Sequence, residues 1–357
     1  MNVAIIGIVG LPARYGGFET LADNLVRNLG RQCNLTVYCS STQLKEKPAS
    51  YLNAKLVYLP LSANGIFSPL YDIASMIKAI RNGSDVLLIL GVSGCLFLPI
   101  IRMFTSAKLV INIDGLEWKR DKWNRLAKAF LKLSEKSAII YGNTIIVDNP
   151  AIQEYVKQEY KKDCELIEYG ADHTASQKNI DIAEFIPFPT KGYAVKLCRI
   201  EPENNIHIVL EAFLRNSSLP LVVIGNWEKS NYGRQLRKFY SNEGNILLLD
   251  PIYDIDILFA LRSNAALYIH GHSAGGTNPS LVEAMYIGLP IIAYDVPYNR
   301  ETTHNKALYF SSVDELEKIL KQIGKIDLET IASSMKQLAH TNYVWKRISD
   351  MYSAFIC

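Results

Sequence analysis

Nothing in this chain is apolar over a long stretch. The longest run, Cys95 to Ile101, is far short of the roughly 20 residues a membrane-spanning helix needs. Cysteine is sparse, and the six present (33, 39, 95, 164, 198 and 357) form no C-x-x-C pair. That removes the common zinc and redox motifs and reads as reduced core thiols in a cytoplasmic protein. One-sided charge is missing as well: 38 Lys and Arg stand against 35 Asp and Glu, for a net +3, which speaks against a broad nucleic-acid-binding face. Met1 to Gly7 runs directly into an apolar segment with no basic region ahead of it, so no signal peptide is expected. The dinucleotide fingerprint fails too. Gly7 to Thr20 is glycine-rich but contains no G-x-G-x-x-G, and the next strand ends at Tyr38-Cys39 without an acid for an adenosine ribose, so a nicotinamide dehydrogenase is disfavoured.

What is present is an ordinary globular composition, 49% hydrophobic and 20% charged, in a chain long enough for two domains. Short apolar runs alternate with helical patterns. Val3–Ile6, Leu35–Cys39, Leu56–Leu59, Val86–Leu90, Leu109–Ile113 and Thr144–Val147 read as strands, with helices over Phe18–Leu29, Tyr71–Arg81 and Trp118–Lys136 among them. After a polar stretch around Ala171 to Thr190 the pattern restarts with Tyr193–Leu197, Leu221–Ile224, Ile246–Leu249, Ala266–Ile269 and Ile291–Ala293. Strand–helix alternation of this kind builds parallel sheets with right-handed crossovers. The expectation is an α/β chain of two Rossmann-like domains facing across a cleft, 1–180 and 181–341, with 342–357 returning to the first.

Ligands of such sheets bind beyond the carboxyl ends of the strands, which selects four loops. In the first, Gly16-Gly17 lets backbone approach a ligand just before a helix, Arg14 is a candidate anion clamp, and Glu19 is either a site residue or a helix-dipole charge. In the second, Asn112 to Trp118, Asp114 follows a buried strand and can receive a proton or bind an acceptor hydroxyl, or else caps a helix; Glu117 is a further candidate. In the third, Arg199 offers a planar fork to a diphosphate. The fourth, His270 to Met285, is a Gly-rich turn opening a helix near Pro279, where the N–H groups of Ser280 to Val282 make a phosphate site and Glu283, about one turn on, suits a ribose. His270 and His272 have an H-x-H spacing with no local third ligand, so no metal is expected. Residues 117–136 hold seven Lys/Arg against three Asp/Glu, interleaved with Trp118, Trp123, Leu126, Phe130 and Leu133. Such a helix suits an anionic membrane surface or packs its apolar stripe on the sheet.

Taken together, Ala13 to Thr20, Asp114 to Arg120, Arg199 to Asn205, Gly275 to Ala284 and Asp295 to Glu301 resemble bacterial rhamnosyltransferases of capsule and O-antigen assembly, a branch of the family-4 retaining glycosyltransferases. The resemblance spans nearly the whole chain. It implies the GT-B fold, an acceptor site in the N-terminal domain, a sugar nucleotide in the C-terminal one, and a final helix, near Tyr343 to Phe355, that crosses back. It implies Glu283 on the ribose, Arg199 on the diphosphate, and Gly276, Thr277, Asn278, Pro279, Ser280 and Leu281 around the phosphates and sugar. Gly16 and Gly17 would lie under the diphosphate, Asp114 beside the reacting hydroxyl, and Arg14, Glu19 and Glu117 on the acceptor side. No cofactor or metal is implied. The donor would be a nucleotide-diphosphate sugar, dTDP-L-rhamnose first, and the acceptor a lipid-diphosphate-linked saccharide at the inner membrane's cytoplasmic face, reached through 118–136. The sequence departs from the wider group twice: Gly275 replaces a glutamate, and Asn204-Asn205 stand where a lysine is usual. Rival readings are a same-fold transferase with another nucleotide sugar, a sugar-nucleotide epimerase or hydrolase, and a non-catalytic partner subunit.

Overall fold

The computed structural model describes the whole chain except Arg14, Tyr15, Asp121, Lys122, Gln177 and Asn179. Two compact units emerge: Met1–Lys119, Trp123–Tyr169 and Trp345–Cys357 form the first, while Gly170–Val344 forms the second, which also takes in Arg120.

The strands of the first unit are β1 (Asn2–Ile6), β2 (Asn34–Ser40), β3 (Ser50–Tyr51), β4 (Ala54–Leu59), β5 (Val86–Leu90), β6 (Lys108–Asn112), β7 (Thr144–Val147) and β8 (Glu165–Leu166). They lie in the order β3-β4-β2-β1-β5-β6-β7-β8, all parallel except the short β3–β4 pair. The register sets Val3 opposite both Leu35 and Val86. β1, β5 and β6 are buried almost throughout because helices cover both faces of such a sheet. The helix Gly17–Leu29 shows how: Leu21, Ala22, Leu25, Val26 and Leu29 recur at helical spacing and are buried, each large side chain contributing about 1.5–3 kcal/mol.

The second unit holds β9 (Ala194–Leu197), β10 (Leu221–Ile224), β11 (Ile246–Leu249), β12 (Leu267–His270), β13 (Ile291–Tyr294) and β14 (Leu308–Phe310). Their order is β11-β10-β9-β12-β13-β14, parallel throughout. In each sheet the order reverses beside the first strand, between β1 and β5 and between β9 and β12. A crevice opens at such a switch point because the crossovers leave it on opposite faces.

The last helix, Trp345–Ile356, belongs to the first unit, as the crossing-back expectation required. Lys108 Nζ donates to the Phe355 carbonyl at 2.8 Å, and Asn112 Nδ2 donates to Tyr352 Oη at 2.6 Å.

Three expectations need correction. Cys33 and Cys357 are joined as a disulfide, so not all six cysteines are free thiols. The partners are 324 residues apart, and only the return of the last helix brings them together, which no local spacing reveals. The helix expected over Trp118–Lys136 is broken: Glu117–Lys119 is a single tight turn, and the helix runs from Arg125 to Tyr141. It starts there because the Asn124 side chain accepts from Ala127 N–H, a standard N-cap. Third, β3, β8 and β14 were not foreseen, being short strands at the sheet edges.

Candidate functional site

In the second unit, the loops following β9 and β12 are stitched together at the switch point. Asn205 Nδ2 donates to the Gly271 carbonyl at 2.9 Å, and Ser273 donates both its N–H and its Oγ–H to the Glu203 carbonyl at 2.9 Å each. Asn204 Nδ2 donates to the Arg199 carbonyl at 2.6 Å. The two asparagines that replace the usual lysine are therefore loop fasteners, their amide donors turned to backbone. Gly271 is needed for this closeness: a Cβ there would meet the Asn204 carbonyl at 2.3 Å. Arg199, half-buried, has Nε 3.9 Å from Glu201, a loose pair at the mouth of the crevice.

The helix Pro279–Ile287 opens with proline in its first turn after Asn278. The Asn278 carbonyl accepts from Leu281 N–H at 3.0 Å and from Val282 N–H at 3.3 Å. The expectation that donors from Ser280 to Val282 are all open is corrected accordingly: two of the three are occupied within the helix. Ser280 N–H is the one whose helical acceptor would lie ahead of the helix, so an anion here meets Ser280 and the loop before it. Gly276 and Thr277 of that loop are buried, and Leu281 is fully buried beneath it. Gly275 has φ +129°, and a Cβ on it would press on the Asn278 amide at 3.3 Å. A glutamate on this backbone would be strained, so the loss of that acid goes with the path of the loop.

Glu283 is anchored on both oxygens. Oε2 pairs with Arg262 Nη1 at 2.7 Å and Oε1 lies 3.4 Å from His173 Nε2. Burial alone would raise its pKa, but the His173 hydrogen bond and the Arg262 charge outweigh it and hold the carboxyl below its ordinary range. Neither partner was anticipated, because 21 residues separate Arg262 from Glu283 and no spacing rule links them.

In the first unit, the loop after β1 is bound by its own carboxylates. Glu19 Oε1 accepts Val9 N–H at 2.9 Å, and Asp23 Oδ2 accepts Ala13 N–H at 3.1 Å. Gly16 has φ +123°, and a Cβ there would strike the folded-back Glu19 carboxylate at 2.0 Å. Thr20 N–H and Oγ–H both donate to the Gly16 carbonyl, and Gly17 begins the helix. Burial pushes the Glu19 pKa up. The structure thus turns Glu19 onto the loop itself. Arg14 lies outside the described residues.

Asp114 stands past the end of β6 with φ +61°, a left-handed backbone that Asp tolerates better than most residues. Its N–H donates to Asn112 Oδ1 at 2.9 Å, and Asn112 is held in turn by Tyr352 of the last helix. Strain over-determined by neighbours in this way is typical of functional loops. Glu117 Oε1 accepts from Trp123 Nε1 at 3.0 Å, so it too holds its loop. Behind that loop Glu135, almost fully buried, accepts from Trp118 Nε1 at 3.0 Å, Tyr155 Oη at 2.6 Å, Tyr160 Oη at 2.7 Å and Lys132 Nζ at 3.4 Å. The Lys132 ammonium lies over the rings of Trp118, Tyr155 and Tyr160, between 4.6 and 5.0 Å from their centres. Lys132 is therefore not part of a solvated basic face. Asp72, fully enclosed, accepts from Ser93 Oγ and has its pKa pushed by burial up to about 7.

Among the described residues no group of three His, Cys, Asp or Glu is placed to hold a metal ion. The His270 and His272 rings stack on each other at 4.4 Å. Besides Arg262 and His173, sequence reasoning missed Lys196, fully buried in β9. The available signal was a lone charge inside an otherwise apolar strand.

Residues 177–330 match the family described as Glycosyl transferases group 1, and residues 1–172 match a domain of unknown function, DUF1972. No curated protein matches the chain. Among solved structures, the sucrose-phosphate synthase of Thermosynechococcus elongatus is 15% identical with a TM-score of 0.82, over 99% of this chain and 97% of that one. HepE of Anabaena, in complex with UDP, is 14% identical with a TM-score of 0.76, over 99% and 98%. Trehalose-6-phosphate from E. coli bound with UDP-2-fluoro glucose is 10% identical with a TM-score of 0.75, over the same shares. At these identities the likeness is one of fold. The chain has the two-domain α/β architecture of the GT-B fold, and its residues 177–330 are similar to the group 1 glycosyl transferases.

Proposed function

We propose that the protein moves L-rhamnose from dTDP-L-rhamnose onto a lipid-diphosphate-linked saccharide in O-antigen or capsule assembly, with retention and without a metal. The observation that carries the nucleotide part is the ionised, doubly anchored Glu283 one turn into the helix that follows the Gly276–Ser280 loop. A carboxylate fixed in this way accepts hydrogen bonds from a ribose with little loss of side-chain freedom, while Ser280 N–H and Arg199 meet the diphosphate. UDP in HepE and UDP-2-fluoro glucose in the E. coli structure support a nucleotide-sugar donor, and the choice of rhamnose rests on the sequence motifs.

In the reaction, the bond from the anomeric carbon to the donor diphosphate breaks and one to the acceptor oxygen forms. The acceptor's proton passes to the leaving phosphate, whose growing charge is met by donors already in place. Asp114 is proposed beside the acceptor hydroxyl, on a loop whose geometry Asn112 and Tyr352 hold fixed.

Membrane contact belongs to the same proposal, with a surface wider than 118–136. Leu126, Leu133 and Ile140 of the Arg125–Tyr141 helix are exposed, as are Met103 and Phe104 on the neighbouring Leu98–Phe104 helix. Basic residues beside exposed apolar ones suit an anionic lipid surface. Among the described residues no helix is long and apolar enough to cross a membrane.

The test is donor turnover. dTDP-rhamnose, UDP-glucose, UDP-galactose and GDP-mannose are each offered with and without a lipid-diphosphate-GlcNAc acceptor. Nucleotide release that needs both dTDP-rhamnose and the lipid is the expected result. Release with another donor discards rhamnose, and release without acceptor discards transfer in favour of hydrolysis or epimerisation.

A further inference from the structure

Lys196 is a cation with no ordinary reason to be where it is. It sits in β9, the strand at the switch point of the second unit, between Val195 and Leu197, and is fully buried. Its Nζ has no hydrogen-bond partner among the described residues. A buried ammonium left in this state costs several kcal/mol unless something compensates it. Burial lowers its pKa, in line with an amine lacking a counter-charge.

The amine does not point at random. A Cβ built on Gly271 would lie 2.6 Å from Lys196 Nζ and 2.3 Å from the Asn204 carbonyl. Nζ therefore rests beside Gly271, where the β9 and β12 loops are stitched. The surroundings add no relief. Among the described residues, fully buried His270 has neither ring nitrogen paired, and His272 Nδ1, Glu201 Oε2 and both Glu203 carboxylate oxygens are unpaired as well. Burial first, then the neighbouring His270, Lys196 and Arg199, drive the His272 pKa well below its usual value. A fastened crevice at a sheet switch point, with a buried and unpartnered ammonium beside it, is built to receive an anion.

We infer that Lys196 is a donor-site residue of this chain, its ammonium meeting a diphosphate oxygen from beneath the loop. It supplies from the strand the charge that Asn204 and Asn205 cannot supply from the loop. The inference rests on the nucleotide-donor reading of the second unit, and goes beyond it in naming a residue that lies outside every motif of the sequence.

Titration of dTDP, UDP and the matching nucleosides into wild type, Lys196→Met and Lys196→Gln tests it. Both substitutions remove the charge, and Met keeps the shape of the stem. The expected result is a drop of about 10- to 100-fold in affinity for whichever diphosphate the wild type binds better, with nucleoside affinity unchanged and apo melting temperature equal or higher. The nucleoside arm separates a phosphate contact from a packing role, since loose packing would weaken both ligands together. Equal diphosphate affinity in wild type and variants would overturn the assignment of Lys196 alone. Absence of diphosphate binding by the wild type would overturn the nucleotide reading and this inference with it.

Discussion

The two sheets share one plan, but the loops at their switch points differ in how far their buried polar groups are paired. At the first, carboxylates are satisfied at home: Glu19 holds Val9, Asp23 holds Ala13, and Asp72 holds Ser93. In the loop after β6 the same is true of Glu117, and behind it of Glu135. At the second, among the described residues, Lys196, His270, His272, Glu201 and Glu203 have enclosed polar atoms unpaired, and Arg199 lies 3.9 Å from Glu201. Buried polar groups are normally bonded, so those that are not point to what the site still has to bind. The loops at the first unit's switch point are held by their own carboxylates, a frame suited to positioning a hydroxyl. The second leaves polar groups unpaired, the Lys196 ammonium among them, and that is the one we assign to an anion.

The sharpest way to break the first half of this contrast is Glu135→Ala. It strands the Trp118, Tyr155 and Tyr160 donors, at about 1–3 kcal/mol for each buried one, while Lys132 keeps Glu159. Urea unfolding should show it, and a loss below about 1 kcal/mol would mean the cage is decorative. Asp114→Asn keeps a residue that tolerates the left-handed backbone but alters the carboxylate. Transfer should fall by about 10²-fold through loss of acceptor positioning, with stability nearly unchanged, and full turnover would remove Asp114 from the acceptor site.

For the second half, Glu283→Gln is the more informative change than Glu283→Ala. Alanine would strand Arg262, which is 2% exposed, and so confuse folding with binding. Gln should weaken diphosphate nucleotide and nucleoside alike, by about tenfold for one charged hydrogen bond. This is the opposite of the diphosphate-only pattern expected for Lys196, and an unaltered nucleoside affinity would sink the ribose role. The smallest effect is expected at the surface. Replacing Arg125, Lys128 or Lys136 singly by Gln should reduce partition onto anionic vesicles by about 1 kcal/mol each. Lys132 is excluded from this set because the aromatic cage holds it. Unchanged partition would leave the exposed Leu126, Leu133, Met103 and Phe104 to another explanation.

Much of this was legible from the chain. Apolar runs such as Val86–Leu90 and Leu221–Ile224 have the bounds expected of them, because strands buried on both faces read as continuous apolar segments. The four ligand-side loops follow from strand order and a general rule about carboxyl ends. The rest depended on long-range pairing. Whether Glu19 faces a ligand or Val9 depends on how one loop folds back 10 residues. Arg262 and His173 reach Glu283 from different elements, and Cys357 meets Cys33 only because the last helix returns. Helical spacing in 118–136 was real only from Arg125 onward, since Trp118 and Trp123 serve Glu135 and Glu117 instead.

The central claim is that the second unit's crevice, not the first unit's closed network, holds the donor's diphosphate. Amide hydrogen exchange with and without a saturating nucleoside diphosphate tests it most directly, since binding suppresses local opening. Slowed exchange in 198–205 and 271–283 is the predicted result. Binding that leaves both of those segments unprotected would contradict it.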